Sequence, residues 1–598
     1  MADIAIRPGP SDASCPPEAP ARPDGETRQS ETLSEALTQL DRSVYAALAQ
    51  AAGGGSPASL SLAWFDWALH LACSPGKHHA LATRLLTDWH GLLTGAQMSN
   101  GHGGDPRFDD AQWDHWPFKV LRDMFAQFES FWHEATTGVP GVSPHHEQVV
   151  SFAAHQCTDM LSPANCWWLN PVVLRAAAET GGRNFLDGAR NWLEDQDDLL
   201  VKSVPSSRHG HTPGSGVGRD VAITPGKVVY RNGIIELIQY QSQTSSVWRE
   251  PVLIIPSWIL KYYILDLSPH NSLVRYLVEH GHTVFMISWR NPRNEARDVG
   301  LNDYLERGLF EALAQVRRIT GGTPVHAAGY CLGGTLLTIG AAAHAREARS
   351  GSPVLKTMTL FAAQTDFGEP GELGLFIDAS QLAYLDALMW KQGYLDGKQM
   401  AAAFQLLRSH DLIWSRLVRE YLLGVRTQPT ELMAWNADGT RLPYRLHIET
   451  LRYLYLHNDL AEGRYCVHGR SVRLGDLQLP IFVVGTERDH VSPWRSVYKL
   501  HALTNTEMGF VLTSGGHNAG IISEPGHTGR RYRFGMRRDS DPYIDPDMWL
   551  AAMPAQSGSW WPCWQQWLAA RSSKQIAPPS IGAGTTLDDA PGKYVLEH

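Results

Sequence analysis

The spacing of the apolar residues changes once along this chain, and that change constrains the fold more than any other feature. From about Val228 onward, short β-type apolar runs alternate with helical stretches. The runs include VVYRNGIIELIQY, PVLIIP at 251–256, TVFMISW at 283–289, PVHAAG at 324–329, TMTLFA at 357–362, PIFVVG at 480–485 and MGFVLTS at 508–514. Segments such as NSLVRYLVEHG and DYLERGLFEALAQVRRI fall between them at helical spacing. Strands that alternate with helices are joined by right-handed crossovers and form a mostly parallel sheet with helices on both faces, an α/β class of domain. One interval breaks the rhythm. Between about Asp366 and Leu477 the chain is mostly helical and rich in Trp, Tyr and Leu, and an insertion of that size reads as a cap over the site.

Ahead of the change, from about Ser30 to Lys202, apolar residues recur at helical spacing, as in LSEALTQLDRSVYAALAQ, LAWFDWALHLA and FKVLRDMFAQFESFWHEA. The stretch PSSRHGHTPGSGVG is turn-forming and separates the two regimes. The expected organisation is a disordered tail over 1–30, a helical N-terminal domain over 31–204 and a linker over 205–220. An α/β catalytic domain over 221–572, with its cap insertion at about 366–477, and a C-terminal tail over 573–598 complete it.

Charge narrows the function classes. With 52 basic against 61 acidic residues the net charge is −9, which argues against binding nucleic acid or anionic lipid by bulk charge. No apolar run is long enough to span a membrane, and the first twenty residues lack the basic start and apolar stretch of a secretion signal. The seven cysteines are scattered and odd in number, with no CxxC pair, so neither a disulfide framework nor a Cys-rich zinc site is expected. The 26 histidines include no HExxH, and no metal or resident cofactor is expected. A soluble protein of a reducing, cytoplasmic compartment fits these features.

The strongest local motif is Gly329-Tyr330-Cys331-Leu332-Gly333-Gly334-Thr335, after an apolar strand and before the Ala-rich helical run LLTIGAAAHA. It has the form of a nucleophile elbow, G-x-S-x-G, with Cys331 in the serine position. Bulk beside the nucleophile would clash with strand or helix, hence the glycines. The helix that begins there stabilises an anion, and the Leu332 N–H is the expected donor to a developing oxyanion. An elbow predicts an acid and then a histidine later in the chain, each just past a strand. Thr486-Glu487-Arg488-Asp489-His490 follows PIFVVG, and Gly515-Gly516-His517-Asn518 follows GFVLTS. His517 can take the thiol proton, and Asp489 can orient and stabilise the imidazole. Each residue alone has an ordinary structural explanation as a packed thiol, a core histidine or a turn carboxylate. Their order and their placement after strands point to a Cys-Asp-His triad. His490 competes for the base role, but it directly follows Asp489 and is assigned to substrate contact instead.

With these motifs in hand the chain resembles the polyhydroxyalkanoate (poly-beta-hydroxybutyrate) synthases of the α/β-hydrolase superfamily. The resemblance runs from about Ser30 to Trp567. It is carried by Ser162-Pro163-Ala164-Asn165, KYYILDL at 261–267, HNSLVRYLVEHGHTVFMISWRNP at 270–292, Trp435-Asn436-Ala437-Asp438-Gly439-Thr440, GTERDHVSPW at 485–494, SGGHNAG at 514–520 and GSWWPCWQQWL at 558–568. GYCLGG alone is less specific, since dienelactone hydrolases also contain it. The resemblance implies an α/β-hydrolase fold and polymerisation of (R)-3-hydroxyacyl-CoA into polyester with release of coenzyme A. It assigns Cys331 as the acylated nucleophile, His517 as base and Asp489 as the triad acid. By analogy with the hydrolase fold, the loop Pro256-Ser257-Trp258-Ile259-Leu260 lies beside the oxyanion site, which makes Ser257 and Trp258 candidate substrate contacts. Many family members carry a second Pro and an Asn in this segment, so the chain departs from the pattern there.

The chemistry suits the residue types. Transfer from coenzyme A to Cys331 exchanges one thioester for another, and the enzyme thioester stays reactive enough for a 3-hydroxyl group to attack. Either His517 or Asp489 could deprotonate that hydroxyl. Water must be excluded for transfer to outrun hydrolysis, and the cap with Trp390, Trp414 and Trp435 is the candidate shield, although packing explains those tryptophans equally well. The resemblance also implies a homodimer at a cytoplasmic polyester granule surface, with the growing polyester chain as partner. Two alternatives stand beside this one. The first is a cysteine-dependent thioesterase or polyester hydrolase of the same fold. The second is a granule-associated structural protein using its Trp-rich C-terminal segment and helical N-terminal region on an apolar surface.

Overall fold

The computed structural model describes residues 28–51, 55–94, 105–201, 216–347, 353–428 and 430–598. Of the tail expected over 1–30, residues 1–27 lie outside the described residues, as does most of the linker, 205–215, whereas residues 28–30 begin a helix. The chain forms two compact units. The first comprises Met1–Gly54, Thr212–Gln399 and Thr430–His598, and the second comprises Gly55–His211 and Met400–Pro429.

A ten-stranded sheet organises the first unit. Its strands are β1 (Gly226–Arg231), β2 (Ile235–Tyr240), β3 (Val252–Ile255), β4 (Val284–Trp289), β5 (Val325–Tyr330), β6 (Leu355–Phe361), β7 (Ile481–Thr486), β8 (Met508–Thr513), β9 (Arg531–Arg537) and β10 (Gln556–Ser557). Their order across the sheet is β1-β2-β4-β3-β5-β6-β7-β8-β9-β10. The stretch from β4 to β8 is parallel throughout, and the strands outside it are antiparallel. Strands β3, β4, β5, β7 and β8 are buried along their whole length, which is why β3, β4, β7 and β8 read as largely apolar runs, while β5 is built of small residues around the buried His326. The antiparallel β9, by contrast, is half-exposed. The strand-helix alternation legible in the sequence therefore corresponds to an α/β sheet in which β5, β7 and β8 carry the Cys331, Asp489 and His517 turns at their carboxyl ends.

Helix α1 (Arg28–Ala51) belongs to this unit, not to the helical one that the sequence suggested. It packs on the helix Ala379–Gln392 of the insertion through Tyr45 and Tyr384, whose rings lie 5.1 Å apart, with Ala46 and Ala49 buried beneath.

The segment expected as a C-terminal tail is instead packed on the sheet. Ser573 donates its N–H to the buried Glu250 carboxylate at 2.7 Å, and Gln575–Ile576 pairs with Val247–Trp248. Gly582 N–H donates to Gln239 at 2.8 Å. The N–H groups of Lys593 and Tyr594 donate to Glu236, a fully buried carboxylate on β2, at 2.9 and 3.0 Å. The low apolar content of this segment suggested a free tail, but buried carboxylates supply partners for its backbone N–H groups, and Val595 is buried as well.

The Trp-rich segment after β10 is also internal. Trp560, Trp561 and Trp564 are fully buried. Their indole N–H groups donate to Gly520 O, Ile521 O and Thr359 Oγ1, each at 3.0 Å. Trp560 and Trp561 brace the backbone just after His517, Trp564 is tied to β6, and none of the three is available to coat an apolar surface.

In the second unit, helices start on side-chain caps followed by proline: Ser56 before Pro57–Ala72, Ser143 before Pro144–Met160 and Asn170 before Pro171–Thr180. Trp67 packs with Ala63, Val139 and Val150 and donates to Ala135 O at 2.8 Å. Residues 400–429, expected to belong to a continuous cap, join this unit. Asp195 bonds Arg416 at 2.6 Å and Tyr421 Oη–H at 2.7 Å, and also pairs with Arg426. Asn184 and Asn191 donate to the carbonyls of Leu422 and Glu420. These polar partners are far apart in sequence, so hydropathy alone did not place them together. Among the described residues, no helix is long and apolar enough to cross a membrane.

Candidate active site

Cys331 occupies the single-residue turn between β5 and the helix Leu332–Glu347. Its φ of +53° lies in the left-handed region, which costs a non-glycine residue roughly 1–2 kcal/mol. Three contacts hold the strain in place. Cys331 N–H donates to Phe361 O at 2.9 Å, and its carbonyl accepts from Gly334 and Thr335 at 2.9 and 3.3 Å. The turn closes only because its glycines lack side chains. A Cβ on Gly329 would sit 2.3 Å from Gly334 Cα, and one on Gly333 would sit 2.3 Å from Ile255 O and 2.4 Å from Pro256 O. The Leu332 N–H, first in its helix, meets no protein acceptor among the described residues, as an oxyanion donor requires.

Asp489 lies three residues past β7, and its carboxylate is saturated. Oδ1 accepts from the N–H groups of Val491 at 2.9 Å and Ser492 at 2.7 Å, while Oδ2 accepts from the Thr486 hydroxyl at 2.9 Å. His517, four residues past β8, presents Nδ1 to Asp489 at 2.9 Å from Oδ2 and 3.1 Å from Oδ1. The two turns are laced together, since Glu487 N–H donates to Thr513 O and Arg488 N–H to Gly515 O, both at 2.9 Å. The Tyr330 ring lies 5.6 Å from the His517 ring, and its hydroxyl donates to Asn518.

Electrostatics follow from this packing. Burial by itself would raise the Asp489 carboxyl, but the His517 charge and hydrogen bond, then the Ser492 N–H and Thr486 hydroxyl, hold it below the ordinary carboxylate value. Burial by itself would lower His517. The Asp489 charge, then the Cys331 sulfur by charge and hydrogen bonding, hold the imidazole well above its ordinary value. The pair therefore keeps a charged carboxylate beside a strongly basic imidazole, with the Cys331 sulfur near enough to add to that basicity.

Cys331, Asp489 and His517 are thus brought together at one edge of the sheet. The other residues singled out from the sequence lie as follows. Ser257 and Trp258 are buried in the loop after β3; the Trp258 ring packs edge-on against Trp289 and Tyr304, and Ser257 Oγ accepts from Ile259 N–H at 3.3 Å. His490 is part-exposed, and its ring pairs with Glu372 at 3.2 Å. Of the cap tryptophans, Trp435 is buried and donates to Lys261 O at 2.7 Å, Trp390 carries Arg42 over its ring, and Trp414 lies in the second unit.

One residue near the sulfur had no signal in the sequence. Tyr455, in the π-helical turn Thr450–Leu456, packs on Phe367 with ring centroids 4.6 Å apart. Burial, with the Cys331 charge adding to it, pushes its hydroxyl up. The π-helical widening shifts the 3.6-residue spacing on which a sequence reading of this segment depends. One trio with metal-ligand spacing, Glu129, His155 and Asp159, lies in the second unit, where Arg107 already binds Asp159 and Glu129.

Comparison with known proteins agrees with this architecture. The model of the poly-beta-hydroxybutyrate polymerase (PhaC) N-terminus matches residues 104–277, and that of the poly-beta-hydroxybutyrate polymerase N terminal region matches residues 35–77. The alpha/beta hydrolase fold model matches residues 250–523. The poly(3-hydroxyalkanoate) polymerase subunit PhaC of Rhizobium etli is 36% identical, covering 88% of this chain and 84% of its own. The poly(3-hydroxyalkanoate) polymerase of Methylorubrum extorquens is also 36% identical, over 82% of this chain and 80% of its own. The Cupriavidus necator polymerase subunit PhaC is 32% identical over 91% and 92%.

Proposed function

The chain belongs to the poly(3-hydroxyalkanoate) polymerase family, and from that premise we propose that it builds polyester from (R)-3-hydroxyacyl-CoA through a thioester on Cys331. The observation that carries the reading is a thiol on a strained turn, near enough to an imidazole to raise its basicity, with that imidazole's Nδ1 held by a saturated, buried carboxylate.

In acylation, His517 Nε2 accepts the Cys331 proton as the sulfur attacks the thioester carbonyl. The carbonyl oxygen gains charge beside the Leu332 N–H. Collapse of the tetrahedral species expels coenzyme A, which takes the proton from His517 and leaves as free thiol. In elongation, a 3-hydroxyl attacks the Cys331 thioester. Its proton goes to His517, an ester bond forms, and the Cys331 sulfur is released. The sequence left open whether Asp489 could be the base for the hydroxyl. Its lone pairs are engaged by two backbone N–H groups, the Thr486 hydroxyl and His517, and its side chain is fully buried, which favours His517 in both steps.

Tyr455, a buried cap residue packed on Phe367, lies close enough to feel the Cys331 charge, and an apolar cap there would restrict water, which suits transfer over hydrolysis. A homodimer at a cytoplasmic granule surface, with no resident cofactor, completes the proposal. The test is purified protein with short- and medium-chain (R)-3-hydroxyacyl-CoA, following thiol release and recovering product. Coenzyme A with insoluble polyester supports the reading. Coenzyme A with free hydroxy acid makes the protein a thioesterase, and no thiol release refutes both.

A further inference from the structure

Beside the nucleophile turn runs a loop whose conformation is set from outside. β3 ends at Ile255, and the carbonyls of Ile255 and Pro256 press on the start of the helix Leu332–Glu347, since a Cβ on Gly333 would meet them at 2.3 and 2.4 Å. The next residues therefore lie against the Leu332 end of that helix. Pro256 has no N–H. The N–H groups of Ser257 and Trp258 follow, both in buried residues, and neither meets a protein acceptor among the described residues. A buried N–H left without an acceptor costs about 1–3 kcal/mol, so a pair of them beside a nucleophile is a place for a ligand oxygen.

The segment Trp435–Thr440 of the insertion holds this loop at four successive points. Trp435 Nε1–H donates to Lys261 O at 2.7 Å, and the Asp438 carboxylate pairs with Lys261 Nζ at 2.8 Å. Gly439 forms an antiparallel bridge with Leu260. The Thr440 hydroxyl lies 2.6 Å from Ile259 O and 2.9 Å from Trp258 O. Thr440 is itself buried, so the loop carbonyls have no solvent to replace it. Each peptide is planar, so fixing the Trp258 carbonyl fixes the Trp258–Ile259 peptide plane and leaves only φ and ψ of Trp258 between that anchored plane and the Trp258 N–H.

We infer that Thr440 is a positioning residue for acyl transfer, its hydroxyl holding the Ser257–Leu260 loop so that the loop's free N–H groups face the oxygen that becomes negative when Cys331 attacks. The inference rests on Cys331 being the acylated nucleophile, and it makes the cap insertion part of the oxyanion site's framework.

Thr440→Val keeps the shape and removes the hydroxyl; Thr440→Ser keeps the hydroxyl. Single-turnover acylation by (R)-3-hydroxybutyryl-CoA is expected to fall about 10- to 100-fold in the valine variant, the scale of a misplaced oxyanion donor, with KM little changed. The serine variant is expected to restore most of the rate. Alkylation of Cys331 by iodoacetamide forms no oxyanion and is expected to be the same in all three proteins. Acylation unchanged in the valine variant overturns the inference, and so does alkylation that falls in parallel, because the hydroxyl would then be acting on the triad or the fold. A parallel series with p-nitrophenyl acetate separates the two levels. If the wild type accepts this ester but not the hydroxyacyl thioester, the polymerase reading fails, and the ester series alone decides the role of Thr440.

Discussion

Replacing Asp489 with Asn changes one charge while leaving the shape of the site in place, and its consequences can be worked from the hydrogen bonds. The amide oxygen can still accept from Val491 and Ser492 N–H, and the Thr486 hydroxyl can turn to accept from the new NH2 group. The remaining contact is with His517 Nδ1, at 2.9 Å from the replaced oxygen. There the NH2 group requires Nδ1 to be an acceptor. The ring proton moves to Nε2, the nitrogen that must take the Cys331 proton. The charge lost can be bounded as well. At 2.9 Å and an effective dielectric of about 20, the carboxylate stabilises an imidazolium by about 6 kcal/mol, or roughly 10⁴-fold in rate. We therefore expect Asp489→Asn to lower single-turnover coenzyme A release by about 10³- to 10⁴-fold while the thermal midpoint moves by only a few degrees. Asp489→Ala is the contrast. It leaves two buried N–H groups and a hydroxyl without an acceptor, at about 1–3 kcal/mol each, and is expected to be both inactive and clearly less stable. Thiol release is read with a chromogenic disulfide, and stability by urea denaturation. An asparagine variant that retains more than about a tenth of the wild-type rate would refute the claim that this carboxylate controls the tautomer and basicity of His517.

Three further outcomes follow from named contacts. Cys331→Ala is expected to abolish coenzyme A release and leave the fold intact. Cys331→Gly is expected to be equally inactive but about 1 kcal/mol more stable in urea than the alanine variant, because φ there is +53°; equal stabilities would mean the turn stores no strain. His282 is fully buried, neither ring nitrogen meets a partner among the described residues, and burial pushes it down to about 3 from its ordinary 6.5. Its neutral form is the folded one, so its stability contribution is complete above about pH 6.5 and is lost as the pH falls towards 3. His282→Leu is expected to flatten the acid side of the stability–pH curve by about 1.4 kcal/mol per pH unit, and an unchanged slope between pH 6 and 4 counts against it. Deleting 593–598 leaves the buried Glu236 without the N–H groups of Lys593 and Tyr594, and a loss of about 3–5 kcal/mol is expected. A truncated protein that unfolds at the wild-type temperature would show that this segment does not hold the sheet edge.

Much of this protein was legible before its structure. Local composition suffices for a buried strand, because a segment covered on both faces must be largely apolar, and PVLIIP, TVFMISW and PIFVVG are. It suffices as well for the Cys331 turn, where Gly329 is required by the backbone of Gly334 a few residues on, although Gly333 is required by the carbonyls of Ile255 and Pro256 from a neighbouring strand end. The order of Cys331, Asp489 and His517, each past a strand, could be read for the same reason. Tertiary structure decided whatever depends on partners far apart in sequence. Residues 400–429 pair with Asp195, α1 lies on the insertion, and the last segment caps buried Glu250 and Glu236. Thr440 reaches the Trp258 and Ile259 carbonyls, and Tyr455 comes near the sulfur from a π-helical turn. A hydrogen bond between residues some 180 positions apart leaves no periodic trace, because its two halves sit in polar stretches that read as loop. The periodicity of burial is a local property that a sequence carries in full, whereas the pairing of buried polar groups exists only once the chain has closed on itself.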